Sequence, residues 1–210
     1  MKNAKRSYNS SRRKEGARLT RQAIAQAALQ LFSQRGYSGA SIDAIAAVAA
    51  VAPETIYATF GSKREILHYL LDVTVGGDEQ AVRVIDRPEQ QDVLQETDAG
   101  RLVAGFSEGI YRIMERAAPV FAILAEASKT EPELATLLNR IRHERLENLR
   151  LVVQRISRLA PLRMGEPQAA EIVWALTSPE LFNLLTEARQ WSREQYTAWL
   201  HDSLRIMLLA

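Results

Sequence analysis

The chain has 210 residues, 47% hydrophobic and 25% charged, with a formal net charge of +2; this is ordinary for a folded protein and long enough for one large domain or two smaller ones. Cysteine is absent, which excludes disulfides, thiolate metal sites and cysteine nucleophiles. No run of about 18 apolar residues occurs and no apolar stretch follows the basic N-terminus, so neither a membrane-spanning helix nor a secretory leader is expected, and the cytoplasm is the expected location.

The small net charge hides a division. Residues 1–70 hold eleven Lys and Arg against four acids, a net +7, whereas residues 71–210 hold sixteen against twenty-one, a net −5. The N-terminal third is suited to a polyanion such as DNA. Charge alone leaves open a basic tail on a neutral protein.

Residues 1–18 (MKNAKRSYNSSRRKEGAR) are basic and nearly free of aliphatic side chains, which predicts a flexible arm. From Thr20 onward the apolar spacing is helical throughout and strand-like alternation is absent. Helices are predicted near 20–35, 42–48, 53–59, 62–76, 98–116, 118–128, 131–159, 167–177, 179–189 and 192–208, with a looser stretch at 76–97. Ser62 with Glu65, Thr130 with Glu133 and Ser192 with Gln195 have capping-box spacing. Ser178-Pro179 either starts a new helix or kinks a longer one. The fold class is therefore all-α.

In the N-terminal third, Ile24, Ala27, Ala28, Leu31 and Phe32 share one helix face, and Arg35-Gly36 supplies a stop. Ser41 caps a short helix with Ile42, Ile45 and Ala46 inward, and the next helix opens at Pro53. Two short helices joined by about four residues must cross steeply, as in a helix-turn-helix. Val51, Ile56 and Phe60 can face the core, which leaves Glu54, Thr55, Tyr57, Ala58 and Thr59 variously exposed. Such a helix can enter a major groove about 12 Å wide; a generic helical subdomain with a solvated polar face has the same pattern.

The segment IAAVAAVAPETIYATFGSKREIL, Ile45 to Leu67, resembles the signature of the TetR/AcrR family at Ile45-Ala46, Ala49, Val51, Thr55, Tyr57, Phe60, Ser62-Lys63 and Leu67. Thr20, Ala27-Ala28, Leu31-Phe32, Gly36-Tyr37 and Ser41-Ile42 follow the family's first helices in the same way. Two positions depart from it: Ala50 stands where the family has a turn glycine, and Ala52 where it has the serine before the recognition helix. The resemblance implies a three-helix helix-turn-helix DNA-binding domain over 19–62, after the 1–18 arm, and a helical effector-binding and dimerisation domain over 63–210. It further implies that Ser41, Thr55, Tyr57 and Lys63 touch the DNA backbone, while Pro53, Glu54, Thr55 and Ala58 lie nearest the bases. Each has a plainer alternative: Tyr57 as a core tyrosine, Lys63 as a solvated charge, Ser41 as a cap.

In the remaining two-thirds, Tyr196, Trp199, Leu200, Ser203, Leu204, Met207 and Leu208 form a wide stripe, and the helices before it are apolar on more than one face. Packing between two subunits or an internal bundle core would each account for this. The resemblance favours a homodimer, with Leu181, Leu185, Trp199, Leu200, Leu204 and Met207 at the interface. Phe106, Ile110, Tyr111, Met114, Phe121, Leu124 and Trp174 are candidates for an effector pocket, or else plain core. Three scattered histidines give no metal-ligand spacing, and no nucleophile elbow or phosphate-cradling glycine loop occurs, so no enzyme, cofactor or metal is expected. The implied function is a regulator that binds double-stranded operator DNA, a repressor released by a small-molecule effector.

Overall fold

The computed structural model describes residues 4–80 and 82–210, with side chains from Arg12 onward, and it is all-α. Contacts divide the chain into a unit ending at Leu70 and a second unit, Leu71–Ala210. Among the described residues no single helix is long and apolar enough to cross a membrane.

In the first unit, helix α1 spans Ala4–Gly39 and is broken at Gly36, whose φ of 71° and ψ of 167° are not helical. The flexible arm expected over 1–18 is thus corrected from residue 4 onward, where the backbone continues as helix. The stretch lacks proline, is rich in Ala, Arg, Lys and Glu, and extends an anchored helix, so no new nucleus is needed. Glu15 accepts two hydrogen bonds from Arg18, at 3.0 and 2.6 Å. Residues 1–3 of the expected arm lie outside the described residues.

Ile24, Ala27, Ala28, Leu31 and Phe32 are buried as their spacing requires. Helix α2, Ile42–Ala49, starts where the Ser41 hydroxyl accepts from the Ala44 N–H at 3.1 Å. It ends at Ala50 in the left-handed region, φ 54° and ψ 42°, where the Ala50 N–H donates to Ala46 and Ala47 carbonyls. Helix α3, Pro53–Phe60, has proline in its first turn and no side-chain cap from Ala52. The α2 and α3 axes differ by 102°, within the range of a helix-turn-helix. Helix α4, Lys63–Gly76, follows, with the Ser62 hydroxyl accepting from the Glu65 N–H at 3.2 Å.

The left-handed alanine is a local cost. An L-residue with a Cβ loses about 1–2 kcal/mol there, which glycine recovers less its larger unfolded-state entropy. Ala50→Gly is therefore expected to stabilise the protein by about 0.5–1 kcal/mol. A denaturant midpoint at or below the parent's would contradict this account of the turn.

In the second unit, the end of α4 is followed by a 3-10 turn, Val84–Asp86, and helix α5, Pro88–Leu94. Helix α6 then spans Ala99–Ala127 without interruption. The two helices expected at 98–116 and 118–128 are thus one. Pro119 removes the N–H that would bond the Glu115 carbonyl, but Ala117, Ala118, Val120 and Phe121 around it are all buried. Tertiary packing holds the helix through the missing bond.

Helix α7 spans Pro132–Ser157, α8 Glu166–Leu176 and α9 Pro179–Asn183; a π-helical turn, Leu184–Ala188, continues α9, and α10 spans Arg193–Leu208. Ser178 does start a new helix, accepting from the Leu181 N–H. Ser192 and Gln195 form the expected capping box. Thr130 does not: Glu131 precedes α7, and the Thr130 hydroxyl instead donates to the Ala127 carbonyl at 3.4 Å. A core built from α6, α7, α8 and α10 includes Leu102, Phe106, Met114, Val152, Val173 and Tyr196.

Candidate nucleic-acid interface and internal cavity

Helix α3 has an inward and an outward side. Ile56 is fully buried, and Phe60 meets Tyr69 edge-on at 5.4 Å. Glu54, Tyr57 and Ala58 are exposed, while Pro53 and Thr55 are partly so. Tyr57 is 56% exposed, which removes the core reading of that residue. The Thr55 carbonyl accepts from the Thr59 hydroxyl at 2.7 Å, so Thr59 is turned along the helix. An acid, a phenol and a methyl group therefore form an outward face with no cation of its own.

Ser41 and Lys63 flank this face. The Ser41 hydroxyl accepts a hydrogen bond as a cap, and its O–H remains able to donate to a phosphate; capping and backbone contact are compatible. Lys63 is not a loosely solvated charge. Its ammonium donates to the carbonyls of Tyr37 at 2.8 Å and Ala40 at 3.1 Å, and lies 4.2 Å from the centre of the Tyr37 ring. It joins the start of α4 to the segment between the Gly36 break and α2. The sequence pattern had no signal for these partners, which lie 26 and 23 residues earlier.

In the second unit a cavity of about 180 Å³ lies between α6 and α7. Of the pocket candidates, Phe106, Ile110, Met114 and Phe121 line it, whereas Tyr111, Leu124 and Trp174 do not. Tyr111, one residue on from Ile110, is rotated about 100° around the helix and packs on Phe182 and Tyr196, with ring centres at 5.6 and 5.9 Å. Leu124 is fully buried core. Trp174 donates from its indole to the Arg142 carbonyl at 3.2 Å and carries the Arg145 guanidinium 4.9 Å from its ring.

The opposite wall was missed. It comes from Ile141, Glu144, Arg145, Asn148, Leu149 and Val152 of α7. Their spacing of 3, 1, 3, 1 and 3 is that of one helix face, hidden among the charges of the surrounding sequence. Arg145 donates to the Trp174 carbonyl at 2.7 Å and to the Thr177 carbonyl and hydroxyl at 2.8 and 3.3 Å. These are acceptors at the C-terminal end of α8, where a cation is favoured. Burial lowers the Arg145 pKa to about 10.

A second cavity, about 370 Å³, shares Val75, Val84, Gln90 and Ile113 with the first. Its other walls include Gly76, Gly77, Arg87, Gly109, Arg112 and Arg116. Arg87 is held by Asp78 through two 2.9 Å hydrogen bonds, which lower the Asp78 carboxyl to about 2.

The expected interface residues divide. Leu200 and Leu204 are fully buried, with Tyr196 and Leu208, along one i, i+4 seam of α10. They belong to the protomer's own core, so their place in the expected interface is corrected. Leu181, Leu185 and Trp199 are partly exposed, and Met207 is 45% exposed. Leu184 and Ile206, at 54% and 61% exposed, were not among the expected residues. Among the described residues no cluster of three or more His, Asp or Glu could hold a metal ion.

Residues 24–70 match the family model described as bacterial regulatory proteins, tetR family. No curated protein sequence matches the chain. The fold is shared with a TetR family transcriptional regulator, PfmR, from Thermus thermophilus, at 22% identity over 89% of this chain and 99% of that one, with a TM-score of 0.64. It is shared also with the transcriptional regulator FadR from Bacillus subtilis in complex with stearoyl-CoA, at 19% identity over 87% and 96%, with a TM-score of 0.68. A complex of SmeT with triclosan matches at 18% identity over 91% and 92%, with a TM-score of 0.64.

Proposed function

We propose that this chain, which over residues 24–70 carries the N-terminal domain of the tetR family, is a transcriptional repressor that binds operator DNA as a homodimer and is released by a small molecule. The observation that carries this reading is the outward face of α3, with Glu54, Tyr57 and Ala58 exposed on the second helix of a pair crossing at 102°. Glu54 and Ala58 stand one turn apart and serve as base-reading positions, with Glu54 able to accept from a cytosine amino group. Ser41, Thr55, Tyr57 and Lys63 act on the sugar–phosphate backbone, which fixes register without reading sequence.

The DNA-binding part is the first unit, which ends at Leu70 and includes Lys63, and the second unit, Leu71–Ala210, binds effector and partner. Dimerisation uses the outward side of the last helices, where Leu184, Ile206 and Met207 are exposed and Leu181 and Leu185 partly so. Two recognition helices enter successive major grooves only when about 34–36 Å apart or at a multiple of this. A ligand in the α6–α7 cavity releases DNA to the extent that it binds another spacing more tightly. The stearoyl-CoA and triclosan bound to FadR and SmeT support a ligand-responsive reading.

Selection of bound sites from random duplexes tests the proposal. The parent is expected to enrich a two-fold symmetric site, and Glu54→Ala and Ala58→Ser to change the preferred bases within each half. No enriched site for the parent would overturn sequence-specific binding. Identical sites for parent and variants would remove the base-reading roles.

A further inference from the structure

We propose that the effector is an amphiphilic anion, its apolar body in the α6–α7 cavity and its carboxylate or phosphate held in the adjoining cavity by Arg112 and Arg116. This rests on the reading of the second unit as ligand-binding and adds the chemical class of the ligand.

The inner cavity, about 180 Å³, is walled by side chains such as Phe106, Ile110, Met114 and Phe121. A dry apolar cavity of about 150 Å³ accepts a benzene-sized molecule, so the space suits a ring or a chain of about six to eight carbons. The outer cavity is larger, about 370 Å³, and meets the inner one at Val75, Val84, Gln90 and Ile113. A molecule that fills both has an apolar end and a bulkier polar end.

The charges select the sign of that polar end. Three arginines line the outer cavity against two acids, Asp78 and Glu89. Arg87 and Asp78 neutralise each other. Arg116 donates to the Thr74 carbonyl at 3.2 Å and, among the described residues, meets no carboxylate. Arg112 makes no hydrogen bond or ion pair among the described residues. The two are exposed and lie one turn apart on α6, a like-charged i, i+4 pair whose repulsion, modest in solvent, an anion would relieve. Arginine's planar fork suits carboxylate and phosphate oxygens. The floor beside them is open because Gly109 lacks a side chain; a Cβ there would stand 3.3 Å from the Gln90 amide nitrogen. In the inner wall Arg145 is accompanied by Glu144, so the sign of the ligand is selected in the outer cavity, by Arg112 and Arg116.

The test is a head-group series on one tail. Octyl phosphate, octanoate, octan-1-ol and octylammonium are titrated into the full chain and followed by calorimetry, then tested for release of the selected duplex. The two anions are expected to bind at least about tenfold more tightly than the alcohol, with octylammonium weakest. Arg112→Gln/Arg116→Gln is expected to remove that advantage while octan-1-ol binds as before, which separates loss of the head-group site from loss of the fold. Equal binding of alcohol and anions, or anion binding unchanged in the variant, would overturn the proposal, as would no binding by any of the four. DNA binding by the ligand-free protein is read separately, so a chain that binds its duplex but prefers the alcohol refutes the ligand class alone.

Discussion

Ile206→Glu is expected to leave each protomer folded and to abolish tight operator binding. Ile206 is 61% exposed in the protomer, so a carboxylate there stays in water until two copies meet, and only the dimer must bury it. A buried charge without a partner costs several kcal/mol, enough to shift association by orders of magnitude. A monomer retains one recognition helix and loses the two-site arrangement, so affinity should fall by about a thousandfold or more, toward non-specific binding. Leu204→Glu, two residues earlier, has a different outcome. Leu204 is fully buried within its own subunit, and the charge destabilises the protomer by several kcal/mol out of a total of about 5–15. Sedimentation, thermal melts and operator titration of both variants separate the two effects. A dimeric Ile206→Glu protein would remove this surface from the interface, and a monomeric one with parental affinity would remove dimerisation from the mechanism.

Lys63→Ala is expected to weaken both the fold and the grip on DNA. The ammonium's bonds to the Tyr37 and Ala40 carbonyls are charge-assisted, and their loss should lower stability by about 2 kcal/mol. If Lys63 also contacts a phosphate, binding to every duplex should fall alike and the log–log salt slope should shrink by about 0.9. A lower melting temperature with an unchanged salt slope would leave Lys63 as a strut between α4 and the residues before α2, with no contact to DNA.

These two residues also show what a sequence pattern resolves. The seam Tyr196, Leu200, Leu204 and Leu208 lies within the predicted stripe, but that stripe also took in Trp199 and Met207 and was too wide to show which edge faces out. Ile206 stands off it and passed unnoticed, because an isolated exposed aliphatic residue carries no periodic signal. Lys63 was placed correctly beside the recognition helix, yet the direction of a long flexible side chain depends on distant carbonyls. The turn was legible to the residue, since Ala50 and Ala52 occupy positions whose backbone is dictated by two crossing helices. The helix starts at Ser41, Ser62, Ser178 and Ser192 were legible for a similar reason: the cap is a contact within three residues. Helix α6 runs on where two helices were expected, because burial on both sides of Pro119 outweighs the missing hydrogen bond. The α7 half of the cavity was obscured by the charges that share its helix.

The break in the hydrogen-bond ladder at Pro119 has a mechanical consequence. It falls between Met114 and Phe121, two residues of the inner cavity wall, and a helix bends most cheaply where a rung is missing. The wall is therefore unequally compliant: the stretch from Ala99 to Glu115 acts as one stiff rod and the stretch after Pro119 as another. At the joint, the Asn183 amide donates to the Ala118 carbonyl at 3.4 Å, so any flexing of α6 pulls on the end of α9. The next residue is Leu184, an uncovered side chain of the proposed subunit contact. Strain from an occupied cavity thus has a short lever to the proposed subunit contact.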